Sequence, residues 1–395
     1  MTADSNDPIV IVAARRTPIG SFQGQFAGLT APQLGSAAIA ACLPTTGETE
    51  IDEAYVGCVL SAGLGQAPAR QAVLGAGLPL SVACTTVNKV CGSGMMSLML
   101  ACDRIAAGSA HAVIAAGMES MTNSPYLLPK ARQGFRMGHQ RTLDHMFYDG
   151  LENPYDGELM GQFAERCADR YEFSRAEQDA FAAESVRRAQ HAVRSGAFAA
   201  EIVGVKPAAK GGDRLIDQDE TPLACDLEKI PKLKPAFRRD GGTVTAANSS
   251  SISDGAAALL VMRASTARRR ELAPLARIVG HAVHAREPEW FTTAPIGAID
   301  KLQRDIGWGV GDVDLYEINE AFAVVAMAAM RDLKLPHDKV NVNGGACALG
   351  HPIGATGARL LVTLVHALRQ RRLRRGIASL CIGGGEATAV ALEAA

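Results

Sequence analysis

An excess of charge of either sign is what this sequence most plainly lacks. Lys and Arg total 40 against 41 Asp and Glu, for a formal net charge of -1. That balance gives no support to a nucleic-acid or other polyanionic partner, whose affinity would come from a basic excess. Aromatic residues are scarce at 5%, with 2 Trp in 395 residues, whereas 40 Gly and abundant Ala point to close backbone approach and tight turns. The 9 cysteines, at positions 42, 58, 84, 91, 102, 167, 225, 347 and 381, form no Cys-x-x-Cys pair and no four-ligand zinc spacing. They read as free thiols in a reducing compartment, so a cytoplasmic location and no bound metal are expected. The polar, acidic segment Met1–Asp7 is unlike a signal or transit peptide. The longest uncharged stretch, Thr17 to Gly47, carries Pro18, Pro32 and Pro44 and is no transmembrane helix, so no membrane partner is expected. Neither a GxGxxG turn nor a P-loop is present.

What is present is globular in balance, with 48% apolar and 21% charged residues, and long enough for two or three domains. The first and last thirds read as distant copies. Thr17-Pro-Ile-Gly20, a helical stretch to Leu43 and a strand from Ile51 to Val56 match Ala294-Pro-Ile-Gly297, a helical stretch to Ile306 and a strand from Val313 to Ile318. Val87-Asn88 and Val342-Asn343 each precede a glycine-rich turn and an apolar helix. The strands Ala112–Gly117 and Ile377–Gly383 then close the two copies. Such short apolar runs alternating with helices suit strands buried on both faces of a mixed or parallel sheet. Between the copies, residues 121–248 open on a Pro/Gly/Arg-rich stretch. A helix from Met160 follows, then a second capped by Ser174-Arg-Ala-Glu177 and ending near Gly196, then the polar run Asp213–Arg239. This is an inserted, loop-rich domain of the kind that shapes binding sites.

Three segments carry candidate chemistry. Asn88-Lys-Val-Cys91-Gly-Ser-Gly94 places Cys91 at the start of a nearly all-apolar helix, where the dipole and unpaired N–H groups favour a thiolate and are expected to lower its pKa. The bland alternative is a small buried thiol. Asn341-Val-Asn-Gly-Gly-Ala-Cys-Ala-Leu-Gly-His351-Pro-Ile-Gly-Ala-Thr-Gly357 would present His351 at a fixed angle on a turn into a helix beginning near Ala358. A histidine is a natural base for a thiol, and the alternative is a structural histidine. Ile377-Ala-Ser-Leu-Cys381-Ile-Gly-Gly-Gly385 ends a buried strand in a second thiol and three glycines whose N–H groups could hold an oxyanion. Glu317-Ile-Asn319-Glu-Ala-Phe322, between a strand and a helix, would point its polar side chains into the same crevice; helix capping by Asn319 is the simpler alternative. Arg369–Arg375 reads as a solvated helix end.

On these segments the chain resembles the thiolases, over essentially its whole length. The resemblance implies an α/β fold of two fused αβαβα halves, 1–120 plus about 249–272 and 273–395, with the inserted loop domain at 121–248. It implies acyl transfer between CoA thioesters, with CoA and acyl-CoA as small-molecule partners, no permanently bound cofactor, and a homotetramer built through the stretch after Met121. Residue by residue, Cys91 matches the acylated nucleophile, His351 its base and Cys381 the acid/base for the α-proton. Asn319 matches the residue that holds a water at one oxyanion site, to which His351 also contributes, and the N–H groups of Cys91 and Gly383 match the other. Ser250 matches a pantetheine contact, while Leu151, Met160, Ala321 and Phe322 match the tunnel lining. Three positions depart from common family patterns: Leu159 stands where many members carry His, Leu223 where some carry Arg, and Glu386 follows the three glycines. A ketoacyl-carrier-protein synthase and a non-catalytic acyl-CoA-binding relative are the rival readings, and a cysteine hydrolase would leave Cys381 without a role.

Overall fold

The computed structural model describes residues 7–44, 50–207 and 215–395. Met1–Asn6, the end of the uncharged stretch at 45–47 and the first residues of the polar run at 213–214 therefore lie outside the described residues. The strands are β1 (Ile9–Arg16), β2 (Gly20–Ser21), β3 (Glu53–Gly57), β4 (Ala83–Val87), β5 (Ala112–Ser120), β6 (Tyr126–Leu127), β7 (Leu143–Asp144), β8 (Ser253–Arg263), β9 (Ala276–Ala285), β10 (Leu315–Ile318), β11 (Arg375–Ile382) and β12 (Glu386–Ala394). The helices of the repeat are α1 (Ala31–Ala40), α2 (Pro68–Gly75) and α3 (Ser93–Ala106). The middle of the chain forms α4 (Met160–Tyr171), α5 (Arg175–Ser195), α6 (Thr221–Ala224) and α7 (Ala264–Arg269). The last third forms α8 (Ala294–Ile306), α9 (Ala323–Leu333), α10 (Ala346–Leu349) and α11 (Ile353–Arg371).

One mixed sheet runs in the order β10-β11-β12-β9-β1-β8-β5-β3-β4. Its order is symmetric about the β9–β1 junction: β1, β8, β5 and β3 of one half answer β9, β12, β11 and β10 of the other. A lone parallel bridge from Val340 to Tyr316 stands where the counterpart of β4 would be. The parallel pairs are β3 with β4 and β5, and β10 with β11. All nine residues of β5 are buried, as expected for a strand covered on both faces. α1 packs on β5 and β8, α8 packs on β9 and β12, and α3 and α11 lie between, against each other and the strands. α11 is buried without break from Ile353 to Leu368, the mark of a helix apolar all round its core-facing length.

The repeat is thus realised, with one shift in alignment. Thr17-Pro-Ile-Gly20 leads into β2 and is not helical, whereas Ala294-Pro295 opens α8. The early counterpart is Ala31-Pro32, which opens α1 with proline in the same first turn. The chain leaves the sheet after β5 at Ser120 and returns in β8 at Ser253, and β8 pairs with both β5 and β1. α5 begins behind Ser174, whose side chain accepts from Glu177 N–H, and stops at left-handed Gly196, as the capping signals predict. A fully buried Arg16 on β1 bonds Asp219 Oδ1 and Oδ2 at 2.7 and 2.9 Å and Glu201 at 2.6 Å, tying the intervening segment to the sheet. Among the described residues no helix is long and apolar enough to cross a membrane.

Candidate active site

The C-terminal ends of the parallel strands and the turns after them converge on one rim. β4 feeds the Cys91 turn, β10 ends just before Asn319, and β11 carries Cys381 one residue from its end. Backbone contact between α3 and α11 brings the remaining turn in. A Cβ on Gly94 would lie 2.8 Å from Ala358 N, and one on Gly357 would lie 2.3 Å from Met95 N. Only glycine lets the two helix starts touch in this way.

The Cys91 turn is strained. Val90, a β-branched residue, has φ of 46°, a conformation that persists only where its surroundings impose it. Ser93 supplies part of that constraint, accepting from Lys89 N–H at 2.8 Å and donating to Val90 O at 2.7 Å. Cys91 is partly exposed, and the Gly383 N–H and its own N–H act to lower its pKa. The expected lowering of its pKa does not occur. Burial outweighs those N–H donors and pushes the thiol up to about 11, with Glu119 adding to the rise. Cys381 is fully buried and lies well above its ordinary value, because of burial and then the neighbouring Cys91.

His351 is buried, and its backbone N–H donates to Ser251 O at 3.1 Å. α11 begins at Ile353, five residues earlier than expected, because Gly354 and Gly357 pack tightly as helical residues. His351 Nδ1 is 2.6 Å from Thr356 Oγ1, which donates its own hydrogen to Pro352 O at 2.9 Å. The hydroxyl therefore accepts from Nδ1–H, and Nε2 carries the lone pair. Asn319 Nδ2 donates toward that Nε2 at 3.4 Å, while Asn319 Oδ1 is buried with no protein partner, which suits a bound water. Burial, then Arg359, lowers the imidazole pKa to about 3, so it is neutral at physiological pH.

Asn319 is not a helix cap; Phe322 occupies that position for α9. Its neighbours also do not share the crevice. Glu317 faces Arg359 at 3.5 Å, and Glu320 accepts from Ser185 Oγ, Asn341 Nδ2 and Cys347 N–H. Both acids brace the core behind the site, contrary to the expectation that they point into it.

The tunnel candidates fall in two groups. Leu151 packs, with Cys91 and Phe147, on an apolar cluster of Val59, Leu60, Met121, Met146 and Ile353. Met160 opens α4, and its Sδ would be 3.7 Å from a Cβ on Gly383. Ser250 bonds Ala321 O through both its N–H (3.0 Å) and its Oγ (3.1 Å), and Phe322 packs edge-on against Phe237. Sequence reading missed Thr356, Glu119 and the Val59–Leu60 wall. The signal available was an acid, Glu119, following the apolar run Ala112–Met118. Lys89 and Glu386 also form an ion pair across the two active-site loops, giving the unusual Glu386 a partner.

Residues 9–265 match the family model "Thiolase, N-terminal domain" and residues 272–394 match "Thiolase, C-terminal domain". The chain belongs to the thiolase family, and it is an acyltransferase. It is 48% identical to acetyl-CoA acetyltransferase 2 of Arabidopsis thaliana, covering 99% of both chains. It is 46% identical to acetyl-CoA acetyltransferase of Schizosaccharomyces pombe, covering 98% of this chain and 99% of that one. Among solved structures, Acat5 thiolase from Ascaris suum in complex with coenzyme A superposes with a TM-score of 0.91 at 40% identity, covering 98% of this chain and all of that one. The Bacillus anthracis acetyl-CoA acetyltransferase superposes with a TM-score of 0.95, also at 40% identity, covering 98% of this chain and 99% of that one.

Proposed function

We propose that the chain condenses two acetyl-CoA molecules, or cleaves a short 3-ketoacyl-CoA with CoA, through an acyl-Cys91 intermediate. The observation that carries this reading is the pairing of two thiols, Cys91 and Cys381, beside the Gly383 N–H, with a neutral imidazole oriented by Thr356 and Asn319 on the turn into α11. His351 Nε2 takes the Cys91 proton as the sulfur attacks the thioester carbonyl, then returns it to departing CoA. Oxyanions form opposite the N–H groups of Cys91 and Gly383 at one step, and opposite His351 and an Asn319-held water at the other. In condensation, neutral His351 takes the Cys381 proton, and the thiolate so formed removes the α-proton. The carbanion attacks acyl-Cys91, and His351 then gives its proton to the Cys91 sulfur as it leaves. A C–C bond forms, the C–S bond breaks, and the negative charge passes from Cys381 to Cys91. A thiol held well above its ordinary pKa makes a strong base once deprotonated.

Ser250, Leu151, Met160, Ala321 and Phe322 are assigned to the pantetheine and acyl tunnel on their placement around Met160, Gly383 and the wall beside Cys91. The bulk of Met160 and Phe322 favours short acyl chains. We further assign 1–120 with 249–272, 121–248 and 273–395 as the three units, a division supported by the exit at Ser120 and return at Ser253. Exposed Tyr126, Leu128, Phe135 and Met137 on the 121–144 segment support homotetramer assembly there, with Met137 92% exposed. Nine free thiols suit a reducing, cytoplasmic setting. A role in fatty acid metabolism follows from the same substrates. A spectrophotometric thiolysis assay on acetoacetyl-CoA and longer homologues tests the reading. Rapid cleavage of the short substrate is expected, and comparable turnover of long ones would remove the chain-length assignment.

A further inference from the structure

Glu119 is the penultimate residue of β5 and is itself fully buried. Its carboxylate gathers four donors from two other segments. Oε2 accepts from Val59 N–H at 3.0 Å and Gly354 N–H at 2.9 Å; Oε1 accepts from Leu60 N–H at 3.1 Å and the Cys58 thiol at 3.7 Å. Cys58, Val59 and Leu60 follow β3, and Gly354 is the second residue of α11, three beyond His351. Val59, Leu60 and Ile353 are also the core of the apolar wall on which Cys91 and Leu151 pack. One carboxylate thus holds the backbone of the base-bearing turn and of the wall beside the nucleophile.

We propose that Glu119 is a positioning residue for acyl transfer: it clamps Gly354 and the Val59–Leu60 wall to β5, setting the angle of His351 and the width of the acyl pocket. This rests on the reading of Cys91 and His351 as nucleophile and base. The clamp needs the ionised carboxylate, since a proton on either oxygen removes an acceptor from N–H groups that have no other partner nearby. Burial pushes Glu119 up to about 7 despite those donors. The titratable groups facing it are the Cys58 thiol, raised well above its ordinary value, and the Cys91 thiol, raised to about 11. Both are neutral near pH 7, and His351 on the adjoining turn is neutral as well. Glu119 is therefore the group that titrates, and the clamp loosens as pH falls through about 7.

The test has two arms. In Glu119→Gln, an amide NH₂ must face N–H donors. Thiolysis kcat is expected to fall about tenfold or more, and the loss of rate of the unmodified enzyme below about pH 7 should vanish. Glu119→Asp keeps the charge and should keep that acid limb. In the unmodified protein, hydrogen–deuterium exchange should show protection of the Val59, Leu60 and Gly354 amides falling from about pH 8 to about pH 6, with β11 amides unchanged. Glu119→Gln turning over normally with its acid limb intact would overturn the proposal. So would pH-independent protection at those three amides, which is decisive even if the variant does not fold. Failure of the underlying reading shows separately, as an acetyl adduct that persists when Cys91 is replaced by Ala.

Discussion

Thr356 decides which nitrogen of His351 is free. Its hydroxyl spends its hydrogen on Pro352 O and so accepts from Nδ1–H, leaving the lone pair on Nε2. Thr356 lies in the first turn of α11 and His351 immediately precedes its N-cap, Pro352, so the start of the helix holds the pair in register. Thr356→Val keeps the shape and loses the acceptor. A fall in kcat of about tenfold is expected, with KM little changed, because orientation and tautomer are lost rather than substrate contact. Thr356→Ser restores the hydroxyl and should restore most of the rate; steady-state kinetics on both variants checks this.

The two pKa values beside each other, about 11 for Cys91 and about 3 for His351, describe a resting thiol and neutral imidazole rather than a preformed ion pair. Alkylation of Cys91 by iodoacetamide should then keep rising with pH toward about 11, since only the thiolate reacts. A plateau reached near neutral pH would mean that the pair is already ionised. His351→Ala should slow alkylation at neutral pH, and an undiminished rate would leave the N–H donors as the sole activators.

Gly57 is one of the points at which the two halves press together. A Cβ there would lie 2.7 Å from Gly94 N and 2.8 Å from Gly354 O, both backbone atoms that cannot swing aside. Gly57→Ala must push the starts of α3 and α11 apart. About 1–3 kcal/mol of stability should be lost from overpacking. A displacement near 1 Å costs activity up to about 100-fold. Thermal melting together with thiolysis kinetics reads both effects, and a fully active, equally stable variant would mean the contact relaxes freely.

Arg16 tests how firmly the intervening segment is held. Replacing it with Met strands Asp219 and Glu201 as buried acids without their cation, at a cost of about 3–5 kcal/mol. A large drop in melting temperature is expected, with proteolytic cleavage appearing first between 121 and 248.

Much of this was legible in the sequence because the repeat and the turns obey local rules. The glycine-rich turn before an apolar helix occurs twice, once holding Cys91 and once holding His351, and the Ser174 capping box set the start of α5 to the residue. What could not be read was decided by tertiary burial. The dipole argument for Cys91 was sound in sign but was overridden by desolvation, which depends on everything packed around the turn. Glu317 and Glu320 flank Asn319 in sequence, yet their partners Arg359, Ser185 and Asn341 come from distant segments and turn them into the core. Glu119 was equally hidden, because its four donors lie about 60 and 235 residues away along the chain.

The last prediction separates the two cysteines by role. Cys91 sits on the strained turn beside the Gly383 N–H, whereas Cys381 is wholly buried in β11 with a thiol held protonated by desolvation. Cys91→Ala should therefore show no covalent adduct with acetyl-CoA by intact-protein mass spectrometry. Cys381→Ala should still be acetylated at Cys91 and should exchange label between acetyl-CoA and free CoA, a step that needs only the nucleophile, His351 and an oxyanion site. Condensation and thiolysis by Cys381→Ala should nonetheless collapse by about 10²–10⁴-fold, the usual cost of a missing positioned acid/base. An adduct on the Cys91→Ala protein that maps to Cys381 would reverse the two assignments. Full thiolysis by Cys381→Ala would instead leave Cys381 a packed strand-end thiol, and the α-proton would then have to pass to another group on the rim.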